Sequence, residues 1–231
     1  MPDPFALILP AAGQSARFGG GRDKLLESLA GRAVVAHAAG AFLARADVGL
    51  VVIPTNQRDR IEPALRGASA APPDPRILFC DGGDSRAASV LAALRRVPAR
   101  FEWVAVHDAA RPLVSADLIG RTFAAARQHG AAVPAMPVSL TVKQATGPLP
   151  ARVERTIPRH TLWSMQTPQA MRRADLLAAY ERCPVPLAEV TDDAQLLEIA
   201  GFDVWLVPGE ERNLKITTAT DLRLAEVLFA T

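Results

Sequence analysis

In residues 5–24, FALILPAAGQSARFGGGRDK, a short apolar run opens into a glycine-rich basic loop. The run at residues 5–9 is too short for an ordinary helix, and its unbroken apolarity predicts a buried parallel strand. Four glycines follow at 13, 19, 20 and 21, where the backbone can turn sharply or approach a ligand closely. Arg17, Arg22 and Lys24 add positive charge after the strand, where open α/β sheets bind ligands. The segment therefore predicts a strand that leads into a polyphosphate cradle.

The amino-acid sequence of this loop excludes two common phosphate-binding motifs. A Walker A loop requires Gly-Lys followed by Ser or Thr, whereas Lys24 follows Asp23 and precedes Leu25. The dinucleotide fingerprint requires Gly-x-Gly-x-x-Gly, and no such spacing starts at Gly13. We therefore predict a different nucleotide loop. Taken alone, the loop leaves open a glycine-rich turn with solvated arginines.

Length and composition limit the class of protein. The 231 residues are 49% hydrophobic, which suits one large domain with a sizeable core. Charges nearly balance, with a net charge of +2, and aromatic residues are few, so we expect no nucleic-acid partner. Cys80 and Cys183 lack metal-ligand spacing, and we expect neither a disulfide framework nor protein ligands to a metal. No signal, transit or membrane segment is recognisable, which predicts a cytoplasmic protein that does not bind membranes.

Apolar runs alternate with helical periodicities over the first half of the chain. Further strands are predicted at 48–53, 76–80, 104–106 and 131–138, and helices at 33–46, 56–65, 85–97 and 115–128. This alternation predicts a doubly wound, mainly parallel α/β sheet with right-handed crossovers, in a single domain over residues 1–231. The polar clusters at 10–24, 81–84 and 107–112 each follow a strand. Because carboxyl ends of parallel strands share one edge of a sheet, we expect these clusters to meet there.

The alternation breaks at residues 139–161, where two short polar strands flank a turn-like Gly147-Pro148-Leu149-Pro150. This segment has too few apolar residues for a core of its own, and a lone two-stranded ribbon is marginal in water. We therefore predict a projecting hairpin arm that packs on a second subunit in a two-fold homodimer. A surface loop is the alternative. Beyond it, strands are predicted at 162–169, 204–207 and 213–217, and helices at 172–183, 191–200 and from 218 onward.

Seven motifs occur in one order along the chain: Pro10-Ala11-Ala12-Gly13, the spacing from Arg17 to Lys24, Asp81-Gly82-Gly83-Asp84-Ser85-Arg86 with Ser89, His107-Asp108-Ala109-Ala110-Arg111-Pro112, Gln166-Thr167-Pro168-Gln169, Thr191-Asp192-Asp193-Ala194 and Asn213-Leu214-Lys215-Ile216-Thr217. With these motifs the chain resembles the 2-C-methyl-D-erythritol 4-phosphate cytidylyltransferase family over essentially its full length. The resemblance implies a Rossmann-like nucleotidyltransferase that transfers CMP from CTP to this sugar-alcohol phosphate and releases pyrophosphate. It also implies Mg²⁺, bound mainly through the CTP phosphates.

The resemblance implies roles for individual residues as well. The catalytic residues would be Arg17 and Lys24, which neutralise charge at the α-phosphorus, and Arg159 and Lys215, which position the acceptor phosphate. A set of mostly small residues would enclose the cytidine: Ala11, Ala12, Gly13, Gly83, Asp84, Ser89 and Ala109. The rest of the acceptor would be bound by Asp108, Arg111, Thr141, Thr167 and Thr191. Because Thr141 and Arg159 lie on the arm, they could serve the neighbouring subunit's site.

The chemistry requires no general base. The nucleophile would be a phosphate oxygen of the acceptor, whose second pKa is about 6, so it is largely deprotonated at neutral pH. The enzyme then has to align two polyanions and stabilise charge. His107 could therefore be structural. Seen singly, Asp108 and Arg111 could pair at a strand end, Thr191 could cap a helix and Lys215 could be a solvated lysine.

Four positions depart from the family pattern. Asp23-Lys24-Leu25 stands where the family usually has Pro-Lys-Gln, and Leu140 and Pro158 replace aspartates. Asp23 could pair with Lys24 or Arg22 and weaken the local field. The departures, including Leu25, Leu140 and Pro158, leave open a different acceptor, another polyol phosphate such as ribitol 5-phosphate. A dimeric nucleotide-binding module without catalysis is a second alternative, against which the retention of the whole charged set argues.

Overall fold

A computed structural model of the protein describes residues 3–13, 15, 18–19, 21–66 and 74–230. Within these ranges the strands are β1 (Phe5–Ile8), β2 (Ser28–Leu29), β3 (Arg32–Ala33), β4 (Val48–Pro54), β5 (Ile77–Cys80), β6 (Trp103–Val106), β7 (Ala131–Pro137), β8 (Val142–Ala145), β9 (Val153–Ile157), β10 (Trp163–Met165), β11 (Gln169–Arg172) and β12 (Trp205–Pro208). The α-helices are α1 (Val34–Leu43), α2 (Arg58–Arg66), α3 (Arg86–Leu94), α4 (Ala116–His129), α5 (Arg173–Glu181), α6 (Asp193–Ile199) and α7 (Ala219–Phe229).

One central sheet carries the fold, in the strand order β10-β7-β11-β6-β1-β4-β5, with β12 also pairing with β7. Strand β1 lies between β4 and β6 and is parallel to both, and β4 is parallel to β5. Strand β11 runs antiparallel to β6 and β7, and β10 runs antiparallel to β7. The predicted mainly parallel α/β sheet is confirmed, and its antiparallel strands both come after the arm in sequence.

The unbroken apolarity of β1 follows from its place at the centre of this sheet. Its side chains alternate between two cores, because Phe5 and Leu7 belong to one buried cluster whereas Ala6 and Ile8 belong to the other. All four are fully buried. Helices cover both faces of such a sheet, so neither face of the strand needs a polar residue.

Three local predictions were wrong. The structure describes all of residues 213–217 and forms no strand there; Ile216 N–H instead donates to the Ala110 carbonyl at 2.8 Å. The predicted strand 162–169 is interrupted at residues 166–168, and its two parts, β10 and the start of β11, pair with successive stretches of β7 along the edge opposite β12. The short hairpin of β2 and β3 was not predicted, because two-residue strands leave no periodicity to detect.

The arm is an antiparallel hairpin of β8 and β9 that pairs outside the central sheet. Nearly all of it faces solvent in the single chain, and Leu140 and Leu149 are 78% and 88% exposed. Among the described residues, no helix combines the length and apolarity needed to cross a membrane.

Candidate active site

A cleft of about 700 Å³ opens beyond the carboxyl ends of the strands at the centre of the sheet. Three of the polar clusters that follow strands meet in it, together with the segment around Lys215. The residues predicted for a site that line it are Ala12, Gly13, Lys24, Gly83, Asp84, Ser89, Asp108, Ala109 and Lys215. They come from sequence positions as far apart as 12 and 215, which is the convergence that strand topology requires.

The other predicted site residues have different positions. Arg17 lies outside the described residues. Ala11 is buried behind the cleft, and its carbonyl accepts the Thr55 hydroxyl at 3.1 Å. Thr141 is on the exposed arm, where Arg159 donates to the carbonyl of Ser139. Thr191 is exposed and bonds Gln195, so in the single chain these arm and loop residues lie away from the described cleft lining.

Asp108 is the electrostatic centre of the site. Its carboxylate lies 2.8 Å from Lys215 Nζ, 3.4 Å from Arg86 Nε and 3.5 Å from Arg111 Nε. Burial alone would raise the pKa of Asp108, but the three cations, with Lys215 foremost, lower the pKa by more. The carboxylate therefore stays ionised at neutral pH, and it can accept hydrogen bonds from the hydroxyls of a polyol.

A buried ion pair that was absent from the predicted site set supports Asp108 from behind. Arg86, at the start of α3, reaches Asp193 at 2.9 Å while also contacting Asp108, and it lines the cleft. The Asp193 side chain is completely buried. The hydroxyl of Tyr180 bonds the Asp193 carboxylate at 3.4 Å, and Gln169 Oε1 accepts the backbone N–H of Asp193 at 2.9 Å. Both charged residues belong to motifs quoted above, but their side-chain pairing depends on tertiary geometry.

His107 fixes the loop that carries Asp108 and Arg111. One ring nitrogen, Nε2, lies 3.1 Å from the carbonyl of Arg111, which can only accept, so Nε2 carries the proton. Nδ1 then accepts the hydroxyl of Thr167 at 3.0 Å, and that hydroxyl in turn accepts Asp108 N–H at 3.1 Å. Burial lowers the pKa of His107 to about 4, which keeps the ring neutral. Thus His107 and Thr167 position Asp108 without facing the cleft.

Side-chain hydrogen bonds replace a strand ladder around Lys215. Asn213 is fully buried and donates to the Thr167 carbonyl at 2.8 Å. Arg111 Nη1 donates to the Asn213 carbonyl at 2.6 Å. These bonds, with the one from Ile216 to Ala110, tie the segment to the loop after β6 and to the connection between β10 and β11. The ammonium of Lys215 is thereby placed beside Asp108 even though the segment has no regular structure.

Small residues form part of the cleft wall. A Cβ on Gly82 would lie 2.3 Å from the Cβ of Ala12, closer than two carbon atoms can approach. Gly83 N–H donates to the Ser89 hydroxyl at 3.0 Å, and that hydroxyl donates to the Ser85 carbonyl at 2.9 Å. Ser89 thus pins the Gly82-Gly83 turn against Ala12 and leaves backbone groups at the wall, as a slot for a flat base requires.

Lys24 also lines the cleft, at the end of the glycine-rich loop. Asp221, in the first turn of α7, accepts hydrogen bonds from the N–H groups of Thr217 and Thr218. Burial raises the pKa of Asp221, but these hydrogen bonds and the positive charge of Lys24 lower that pKa by more. Arg22 pairs with Glu27, so its partner is not Asp23. Lys24, Arg86 and Lys215 therefore line one cleft together, and such a concentration of positive charge suits a ligand with several phosphates.

Comparisons with known proteins agree with this geometry. A family model described as 2-C-methyl-D-erythritol 4-phosphate cytidylyltransferase matches residues 5–231. The protein of that name from Cereibacter sphaeroides is 42% identical over 228 residues, which cover 97% of this chain and 96% of the relative. The one from Gloeobacter violaceus is 38% identical over 228 residues, with the same coverage. The crystal structure of the enzyme of that name from Thermus thermophilus aligns with a TM-score of 0.76 at 32% identity, over 99% of this chain and 100% of that one.

Proposed function

The chain belongs to the 2-C-methyl-D-erythritol 4-phosphate cytidylyltransferase family, and from this premise we propose how its residues divide the work of the reaction. The enzyme transfers CMP from CTP to 2-C-methyl-D-erythritol 4-phosphate, in the non-mevalonate route to isoprenoid precursors. A phosphate oxygen of the acceptor forms a bond to the α-phosphorus of CTP. The bond from the α-phosphorus to the bridging oxygen breaks, and pyrophosphate leaves with that electron pair.

The observation that carries this proposal is that Lys24 and Lys215, far apart in sequence, line the same cleft. The triphosphate lies along the glycine-rich loop, where Lys24 and Arg17 stabilise the charge that grows at the α-phosphorus. Removing one such group costs about 2.7–4 kcal/mol of transition-state stabilisation, by analogy with an oxyanion donor. The cytosine lies against Ala12, Gly82 and Gly83, where the lack of side chains lets the base approach the backbone closely.

The acceptor binds on the side of Asp108. Its hydroxyls donate to the ionised Asp108 carboxylate, and its phosphate takes Lys215 as a partner. Because Lys215 Nζ is already 2.8 Å from Asp108, the lysine is held at the site before the phosphate arrives. A dianionic phosphate at this point is already deprotonated, so no residue has to remove a proton from it.

Mg²⁺ fits this site through the nucleotide. The described residues contain no group of three His, Cys, Asp or Glu side chains that could hold a metal ion. Mg²⁺ commonly binds through substrate phosphates, with water completing its shell, so a phosphate-lined cleft suits it. When bound, the ion would neutralise part of the triphosphate charge.

A homodimer would complete the site. Arg159 and Thr141 lie on the arm, and the arm exposes apolar side chains that include Leu140, Leu149 and Val153. Trp163, directly after the arm, is also half exposed. A second subunit would cover this surface and receive Arg159 at its acceptor phosphate. Because both substrates are phosphorylated and do not cross membranes unaided, we also propose a cytoplasmic location.

The test is pyrophosphate release from CTP and Mg²⁺ with each of several sugar phosphates. We expect turnover with 2-C-methyl-D-erythritol 4-phosphate, and a loss of about 10²–10³ in kcat for Lys24→Ala with a smaller change in CTP affinity. Turnover with ribitol 5-phosphate alone would show that ribitol 5-phosphate, and not 2-C-methyl-D-erythritol 4-phosphate, is the acceptor. Binding of CTP without turnover of any acceptor would favour the non-catalytic module.

A further inference from the structure

The carboxylate of Asp23 is turned into the glycine-rich loop and away from the cleft. Asp23 is only 9% exposed, whereas its neighbours Lys24 and Leu25 line the cleft. Oδ1 of Asp23 accepts the hydroxyl of Ser15 at 3.0 Å and the backbone N–H of Leu25 at 3.1 Å. A buried carboxylate is costly unless donors surround it, and these bonds supply donors from residues 15 and 25.

Ser15 is the partner at the opposite end of the loop. Its hydroxyl donates to Asp23 and also accepts the N–H of Lys24 at 3.3 Å. Its backbone has φ +51°, a left-handed conformation that residues other than glycine rarely adopt. Such a conformation persists when surrounding contacts hold it in place, and the bond to Asp23 supplies one. The pair therefore joins residue 15 to residues 23 and 24, at the two ends of the loop.

A third segment meets the same carboxylate. Gln57, in the connection after β4, brings Nε2 to 3.5 Å from Asp23 Oδ2. The backbone N–H of Gln57 donates to the Thr55 hydroxyl, which donates to the Ala11 carbonyl, each at 3.1 Å. Asp23 is thus connected through Gln57 and Thr55 to the backbone just before the loop begins.

We propose that Asp23 is a positioning residue that closes the glycine-rich loop and fixes the backbone of Lys24 for catalysis. The negative charge would repel a triphosphate if it faced the cleft, but both of its oxygens point to donors within the loop and behind it. The inference rests on the proposed role of Lys24. It gives a structural function to an acidic residue next to a catalytic lysine.

The test compares Asp23→Ala, Asp23→Asn, Ser15→Ala and the Ser15→Ala/Asp23→Ala pair with the unmodified enzyme. Asp59→Ala, on the exposed side of α2, is the matched control for loss of one carboxylate. Three quantities are measured: kcat and KM for CTP, the rate of tryptic cleavage after Arg17, a bond that is not adjacent to Asp23, with and without CTP, and the thermal unfolding midpoint. The cleavage rate and the midpoint do not depend on turnover.

Asp23→Ala is expected to lower kcat about ten- to a hundredfold, because a misplaced Lys24 no longer reaches the transition state. Cleavage in the loop becomes faster by a similar factor, and CTP protects it less. Asp23→Asn retains an oxygen that can accept the Leu25 N–H, so it recovers part of both effects. The effect of the double variant is smaller than the two single effects combined, because both changes remove the bond between Ser15 and Asp23.

Two results would overturn the inference. One is a normal kcat and a normal cleavage rate for Asp23→Ala, in a preparation whose unmodified enzyme turns over. The other is a loss of activity that is accompanied by a lower unfolding midpoint, together with effects of the two single substitutions that add up in the double variant. That result would show general destabilisation. If the unmodified enzyme itself fails to release pyrophosphate, the proposed function fails, and the cleavage assay still decides whether Asp23 closes the loop.

Discussion

At the scale of single residues, Gly82 shows how closely two loops of the cleft approach each other. An added Cβ would lie 2.3 Å from the Ala12 Cβ and 3.3 Å from the Ser89 hydroxyl. Ala12 is held by the strand before it and Ser89 by α3, so neither can move without disturbing the slot. The absence of a side chain at Gly82 is therefore required by packing as well as by ligand binding.

We expect Gly82→Ala to weaken CTP binding at least about tenfold, which corresponds to about 1.4 kcal/mol. The reason is that the wall formed by Ala12 must shift into the space that the base occupies. Titration calorimetry with CTP measures the effect. Gly13→Ala is the control for folding, because nothing lies within 4 Å of its added Cβ and its unfolding midpoint should be unchanged. Unaltered CTP affinity in Gly82→Ala would place the base elsewhere.

Asp193 provides a second prediction at this scale. It is fully buried and pairs with Arg86, so Asp193→Asn leaves a guanidinium whose remaining carboxylate is Asp108. Breaking a buried pair from one side costs about 3–5 kcal/mol of unfolding free energy. The unbalanced Arg86 also draws Asp108 away from Lys215, and the KM for the acceptor should rise more than the KM for CTP.

Chemical denaturation and steady-state kinetics measure these two effects. The double variant Arg86→Met/Asp193→Leu removes both charges and should recover much of the lost stability without recovering activity. A double variant no more stable than Asp193→Asn would contradict the pairing. Equal changes in KM for both substrates would contradict the link to the acceptor side.

At the scale of elements, the arm decides whether each site is built from one chain or two. Strands β8 and β9 pair only with each other in the described chain and carry Thr141 and Arg159 away from the cleft lining of their own chain. If the arm reaches a partner, the site of one subunit contains Lys24 and Lys215 from its own chain and Arg159 from the other.

Subunit mixing tests this arrangement. Lys24→Ala and Arg159→Ala are each expected to be nearly inactive as homodimers. In a co-expressed mixture, about half of the dimers are mixed, and each has one site with Lys24 and Arg159 both intact. Activity should therefore recover to about a quarter of the normal value, measured by pyrophosphate release on differently tagged subunits. No recovery in dimers shown to be mixed would mean that the arm serves its own chain.

At the scale of the whole molecule, sequence and structure agree where local pattern and topology act together. Residues 5–24 predict both β1 and the cleft beyond it, because an apolar run followed by glycines has few other outcomes in an α/β chain. The structure of segment 213–217 could not be predicted in this way, because it is held by hydrogen bonds of the buried Asn213 side chain and not by pairing with a neighbouring strand. The contacts of Arg86, Asp193 and His107 also could not be predicted, because the spacing of residues in the sequence does not determine the directions of their side chains.

These contacts make the stability of the whole chain depend on pH through His107. The ring is fully buried beside Phe42, and burial lowers its pKa from 6.5 to about 4. Between these values the unfolded chain binds a proton that the folded chain does not, so stability falls as the pH is lowered through this window. From pH 7 to pH 5 the loss is about 2 kcal/mol of unfolding free energy for this one residue.

Chemical denaturation at pH 7, 6 and 5 measures this slope, above the range in which the carboxylates titrate. Burial lowers the pKa of His37 as well, and this half-buried ring adds to the slope with the same sign. His37→Gln therefore serves as the matched variant. We expect His107→Gln to reduce the slope of unfolding free energy against pH considerably more than His37→Gln does. Because His107 and its neighbours Asp108 and Arg111 change their contacts together, the comparison uses slopes and not absolute stabilities. Equal slopes in His107→Gln and the unmodified protein would mean that the ring titrates normally in the folded state, and the neutral tautomer that links Thr167 to Arg111 would then be wrong.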